Sequence, residues 1–222
     1  MSNEKNIEKE SLLSDVKPSK AIVKLAIPAT IALLAKAIYN IVDTAYIGLL
    51  DSEAALAAVG VTLPLLLIFV SIENIFAAGA AVLAGRQLGA GDKKGSSTTI
   101  STIVAASTLI GGLLCVGGII FMEPLMRAFG ASETVMPLAK DYAFWMFIAA
   151  LFNLPAQSLN CAARAESSVK ISTIAVITGA ALNVILDPIF MFEWGLNMGV
   201  EGASLATTVS QFVTFAILVW FY

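Results

Sequence analysis

The sequence predicts an all-α membrane protein with six spanning helices, and three observations predict it. The 222 residues are 58% hydrophobic and only 13% charged, whereas soluble domains run nearer half apolar and a quarter charged. Apolar runs of about twenty residues recur between short polar breaks, long enough to cross a bilayer as helices. Ten-residue alternating segments, the mark of a transmembrane barrel, are missing.

The elements follow in order. Residues 1–20, MSNEKNIEKESLLSDVKPSK, are polar and lack the apolar core of a signal peptide. They read as a retained cytoplasmic tail, partly helical along the surface, and residues 21–222 as the bundle. The first span, 21–49, ends at LDSEA; the second, 55–84, runs into the turn GRQLGAGDKKGSS. The third, 97–121, is closed by MEPLMRAFGASETV, and the fourth, 137–163, by RAESSVK. The fifth, 169–192, is followed by EWGLNMGVEG, and the sixth, 201–222, stops at Trp220, Phe221 and Tyr222, residues suited to an interfacial belt. A span that halts at the water boundary suggests one half of something longer. Pro28, Pro64 and Pro155 lie inside spans, where proline kinks a helix. The run AAGAAVLAG and the pair Gly111–Gly112 suit close helix packing.

Orientation follows from lysine and arginine placement. One side of the membrane holds Lys5, Lys9, Lys17, Lys20, Lys24, Arg86, Lys93, Lys94, Arg164 and Lys170. The other holds Arg127 and Lys140. Ten basic residues against two place the N-terminus in the cytoplasm of a cell whose inner, plasma membrane the chain crosses repeatedly. There is no histidine, so proton or cation chemistry falls to carboxylates. Cys115 and Cys161 lie in apolar runs without CxxC spacing and read as small buried hydrophobes. GAGDKKGSS lacks the GK[ST] of a phosphate loop and follows no strand. No nucleophile–base arrangement marks a catalytic residue, so an enzyme is not expected, nor any cofactor or metal beyond Na⁺.

Ionisable residues inside a span are costly and are functional candidates by default. Four stand out: Lys36, Asp43, Glu73 and Asp187. Counting from the outer span ends puts Asp43 about 10 Å deep, and Asp187 and Thr207 about 9 Å deep. Three oxygen-bearing side chains from three spans therefore reach one level. Asn40 shares a helix face with Asp43, and Asn183 with Asp187. Pro188 lacks an N–H and deprives the Val184 carbonyl of its usual donor. Such oxygens suit a hard monovalent cation or a proton. Lys36 and Glu73 lie deeper, about 21 Å and 27 Å from the outer end, and are expected to pair, as lone charges there are unfavourable. The competing reading is that Lys36 snorkels and Glu73 stays protonated. For any single Asn or Thr, interhelical hydrogen bonding alone is a sufficient role.

AIPATIALLAKAIYNIVDTAYIG, GRQLGAGDKKGSS, LNVILDPIF and GVEGASLATTVSQ together closely resemble the multidrug and toxic compound extrusion family. FGASETVMPLAKDY and LNCAARAESSVK fit it as well, so the resemblance covers about residues 20–222. It implies a secondary antiporter that exports bulky, often cationic drugs in exchange for Na⁺ or H⁺. The family has two six-helix lobes, and this chain resembles the N-terminal lobe alone, with the C-terminal lobe missing. By motif position, the family's cation site falls on Asp43, Asn183, Asp187 and Thr207, with Asn40, Lys36 and Glu73 as accessory candidates. Cation binding there is expected to remove negative charge, let the first span bend and lower affinity for a cationic drug. The alternatives are a lipid-linked saccharide flippase of the same superfamily and a structural membrane subunit that transports nothing. The flippase is disfavoured because Lys36 is the only cation inside the spans. Lipid and small drugs are the expected partners, and nucleic acid is not.

Overall fold

The structure is a computed structural model that describes residues 18–222. The expected tail therefore falls, over residues 1–17, outside the described residues. Seven helices follow: α1 (Pro18–Gly48), α2 (Glu53–Gly89), α3 (Lys93–Ile120), α4 (Met122–Ala128), α5 (Met136–Ala165), α6 (Val169–Met191) and α7 (Val200–Phe221). All but the short α4 contain stretches long and apolar enough to cross a membrane. The six expected spans are thus the six long helices, with ends shifted by a few residues. The difference lies in MEPLMRAFGASETV, which is not a plain loop: Met122 and Met126 of α4 tuck under the bundle, with Met126 fully buried.

Local chemistry sets the helix ends. The Ser52 hydroxyl accepts from Ala55 N at 3.2 Å and starts α2, with Glu53 in its first turn. Asp92 Oδ1 accepts from Gly95 N at 2.8 Å and starts α3. Between them Gly91, at φ +78°, takes the left-handed turn that closes α2. After α6 the chain folds back on itself. Leu196 N, Met198 N and Gly199 N donate to the carbonyls of Ile189, Phe190 and Met191 at 2.8, 2.9 and 3.1 Å. The last turn of α6 is thereby satisfied by its own connection rather than by water.

Helix α5 is the hub of the bundle and its most buried helix; it packs on α2, α3 and α7, while α7 also packs on α6. α1 is held differently: it lies along α6, tied by Thr173 Oγ1 donating to the Pro28 carbonyl at 3.2 Å, and hardly meets α2. At one end Phe69 and Phe147 cross edge to face at 5.7 Å over Met122 and Met126. Toward the other end the seam is alanine-rich, with Ala80, Ala84, Ala156 and Ala162 packed together. A Cβ on Gly111 would stand 2.8 Å from the Ala150 carbonyl oxygen, so α3 meets the α5 backbone there. Gly112 does not share this role, since its Cβ would meet only Leu151 Cδ1 at 3.8 Å. In AAGAAVLAG the buried residues are Ala77, Ala80 and Ala84 rather than the glycines. Both cysteines are free.

The large apolar side chains of α1, α2 and α3 point outward, including Ile41, Leu67, Ile75 and Leu109. The interior is built mainly of alanine and other apolar residues, with buried Ser, Thr, Asn and acidic groups set among them. The chain is a multi-pass membrane protein.

Candidate cation site and the polar cavity beside it

The expected site residues come from α1, α6 and α7, and the packing of α6 on both neighbours brings them together. Asn183 is 1% exposed and Asp187 0%, a costly burial of polar groups. Asn183 Nδ2 donates to Asp187 Oδ1 at 3.0 Å and to Thr207 Oγ1 at 3.2 Å. One amide thus joins the carboxyl on its own helix, one turn away, to the hydroxyl of α7. From α1, the half-buried Asp43 brings its carboxyl within hydrogen-bonding reach of that of Asp187. A proton or a cation between two such neighbouring carboxyl groups would offset their mutual repulsion.

Acceptors are in excess. Asp43 Oδ1, Asn183 Oδ1 and Asp187 Oδ2 are buried without a hydrogen-bond partner among the described residues. Buried polar atoms in native proteins are satisfied almost without exception by protein or by water, so these three oxygens can accept from a water or ligate a cation. Only acceptors remain there, so a small cation fits and an anion does not. Among the described residues no group of three or more carboxylates or cysteines gathers. Two carboxylates, an amide and a hydroxyl are a hard, weakly charged set, matched to Na⁺ or H⁺ rather than to a soft transition metal.

The accessory candidates divide. Asn40 is exposed and engaged through its backbone carbonyl, which accepts from Thr44 Oγ1 at 2.9 Å; its side chain does not join the cluster. Glu73 is 3% exposed and accepts a hydrogen bond from Asn153 of α5. Lys36 adds an electrostatic attraction to it. The expected pairing across α1 and α2 is therefore a longer-range one, and the direct partner is an asparagine that the sequence reading had passed over.

A further feature was also missed. Between α1, α5, α6 and α7 lies a cavity of about 70 Å³. α5 lines it with Asn153, Gln157, Asn160 and Arg164, spaced so that all four share one helix face. α7 contributes Thr207, Ser210, Gln211 and Thr214, and α1 contributes Lys36 and Tyr39. Asn183 stands at its head, with Gly179 and Ala180 leaving room below. The signal existed in the sequence: four polar residues at intervals of four, three and four within a hydrophobic span. Tyr39 and the buried Tyr142 also lie within electrostatic range of both aspartates.

The MatE family model matches residues 28–189. The chain belongs to the MatE family. Members are transporters rather than enzymes. The chain is 30% identical over 192 residues to the multidrug export protein MepA of Staphylococcus aureus, across 86% of this chain and 42% of that one. It is 29% identical over 204 residues to an FAD transporter of Shewanella oneidensis, covering 89% and 44%. Among solved structures, it superposes with a TM-score of 0.88 on an outward-facing multidrug resistance MATE transporter of the MOP superfamily, at 29% identity over 95% of this chain and 46% of that one. A MOP superfamily transporter from Pyrococcus furiosus, described as having a binding pocket of reversed polarity, matches equally well at 0.88 and 29%. This MatE chain spans less than half the length of these relatives. They favour neither the flippase nor the structural-subunit reading.

Proposed function

We propose that this MatE chain is the cation-coupling lobe of an antiporter that exports small organic compounds. Na⁺ or H⁺ is held by Asp43 and Asp187, with Asn183 and Thr207 as neutral ligands. The observation that carries this reading is the convergence of three buried, unpartnered oxygens on two adjoining carboxyl groups. Export of drugs is supported by the multidrug exporters among its relatives, and the basic end of the bundle (Arg86, Lys93, Lys94, Arg164, Lys170) is read as cytoplasmic.

Geometry suggests how the cation acts. Asp43 sits on α1, the least packed of the spanning helices among the described residues, and Asp187 on α6, against which α1 lies. A cation between them ties α1 to the rest of the lobe, and its release loosens that tie. Exchange then requires only that cation and drug favour different positions of α1.

The test is Na⁺-dependent thermal stability of the purified chain. At a Na⁺ concentration one hundred times the dissociation constant, a single site adds about 2.7 kcal/mol. The expected result is a rising midpoint with Na⁺, or with acidification if the proton is the ligand, lost in Asp43→Asn and in Asp187→Asn. Full stabilisation in either variant would overturn the assignment.

A further inference from the structure

We propose that the cavity between α1, α5, α6 and α7 is a water-filled passage through which the small cation exchanges between the carboxylate pair and the basic end of the lobe. It runs within the lobe rather than between lobes. The proposal rests on the cation-site reading for its cargo, but the passage itself can be tested without it.

Its course follows from the residues that line it. Asn183, at its head, binds Asp187 directly. At its foot is Arg164, one residue from the end of α5 and beside the basic turn that leads to Lys170. From Asn153 to Arg164 the polar stripe of α5 spans eleven residue steps, about 16 Å of helix. The cavity therefore reaches from the buried site most of the way to water.

Its content follows from unmet hydrogen bonds. Ser210 is 3% exposed, lines the cavity and has a hydroxyl without a partner among the described residues. Asn183 Oδ1, also lining it, is unpartnered too. A polar space of this size with such groups on its wall holds water; apolar cavities stay dry. Asn160 is directed elsewhere: its carbonyl accepts from Ser172 and its amide donates to Gln157 Oε1 at 3.3 Å.

Charge decides whether a cation can enter. Lys36 and Arg164 line the passage and would repel one. Glu73, held behind Asn153, attracts Lys36, and the Asp43–Asp187 pair lies beyond Asn183, which stands at the head. Three carboxyl groups thus oppose two cations, and Arg164 stands at the watery end, where screening is strongest. Glu73 gains a role here: it keeps Lys36 from closing the passage.

Cysteine accessibility tests the passage in vesicles that hold the whole 222-residue chain. In a Cys115→Ser, Cys161→Ser background, Gln157→Cys and Gln211→Cys report from opposite walls, and Ile174→Cys, exposed on the apolar surface, serves as control. A small, membrane-impermeant cationic thiosulfonate applied to the basic face should modify both reporters at least tenfold faster than the control. Equal rates, access only from the α4 face, or reaction with an anionic reagent alone would each overturn the proposal. The unmodified chain provides a reading free of substitutions: hydroxyl radicals generated from enclosed water should mark Tyr39, and an unmarked Tyr39 would count against the passage. The two readings fail separately. Labelling that persists while Asp187→Asn keeps full cation stabilisation sinks the site, and absent labelling with cation stabilisation intact sinks the passage.

Discussion

Glu73 and Asn153 show how a single contact at membrane depth can be tested. Removing the amide in Asn153→Leu leaves a buried carboxylate without its donor, which costs roughly 1–3 kcal/mol. Thermal unfolding of the purified chain should show that loss, and an unchanged midpoint would mean that Lys36 alone satisfies Glu73. At the surface the balance differs. Arg127 Nη2 and Lys140 Nζ donate to Glu123 at 3.1 and 3.3 Å, and Arg127 Nη1 donates to Glu133 at 2.7 Å. The hydrogen bond from Arg127, then that from Lys140, holds the Glu123 carboxyl below its ordinary value of 4.5. A carboxylate with a depressed folded pKa stabilises the fold above its unfolded value, and that support is lost as pH falls through the folded one. Being exposed, the group contributes little, but its titration can be followed directly. Carboxyl carbon resonances should show Glu123 titrating below 4.5, and Arg127→Ala should return it toward that value.

Among the helices, packing separates glycines that look alike in sequence. Gly111 and Gly117 both lie in α3 among apolar residues. A Cβ at Gly111 would press on the Ala150 carbonyl and on Leu151 Cα at 3.1 Å, whereas one at Gly117 meets nothing within 4 Å. Gly111→Ala should therefore force α3 from α5 at a cost of about 1–3 kcal/mol. Gly117→Ala should raise stability by about 0.5–1 kcal/mol through helix propensity alone. Denaturation midpoints of opposite sign would bear this out, and equal shifts would not. Sequence reading expected close packing from the whole Gly111–Gly112 pair; which glycine touches a backbone depends on how α3 is rotated against α5, and a linear pattern carries no rotation.

For the lobe as a whole, α1 is the helix free to respond. It rests on α6, hardly meets α2, and carries Asp43, the α1 member of the proposed cation site. Cation binding should therefore slow amide hydrogen exchange in α1 more than in α5, the buried hub. The contrast should vanish in Asp43→Asn. Uniform protection of every helix, or none in α1, would separate cation binding from α1 and remove the basis for coupling.

Six spans, though not their exact ends, and the basic bias of one set of connections were legible in the residues, because bilayer thickness fixes helix length and the cost of burying charge sorts lysine and arginine between loops. The matched depth of Asp43, Asp187 and Thr207 was legible too, since helical rise converts residue counts into distance. Tertiary structure alone decided which faces meet. It turned Asp43 toward Asp187, left Asn40 outside, gave Glu73 to Asn153 and aligned the polar stripes of α5 and α7 around one cavity. Depth is a property of one helix and can be counted; contact depends on the rotation and crossing of two, which only their packing sets.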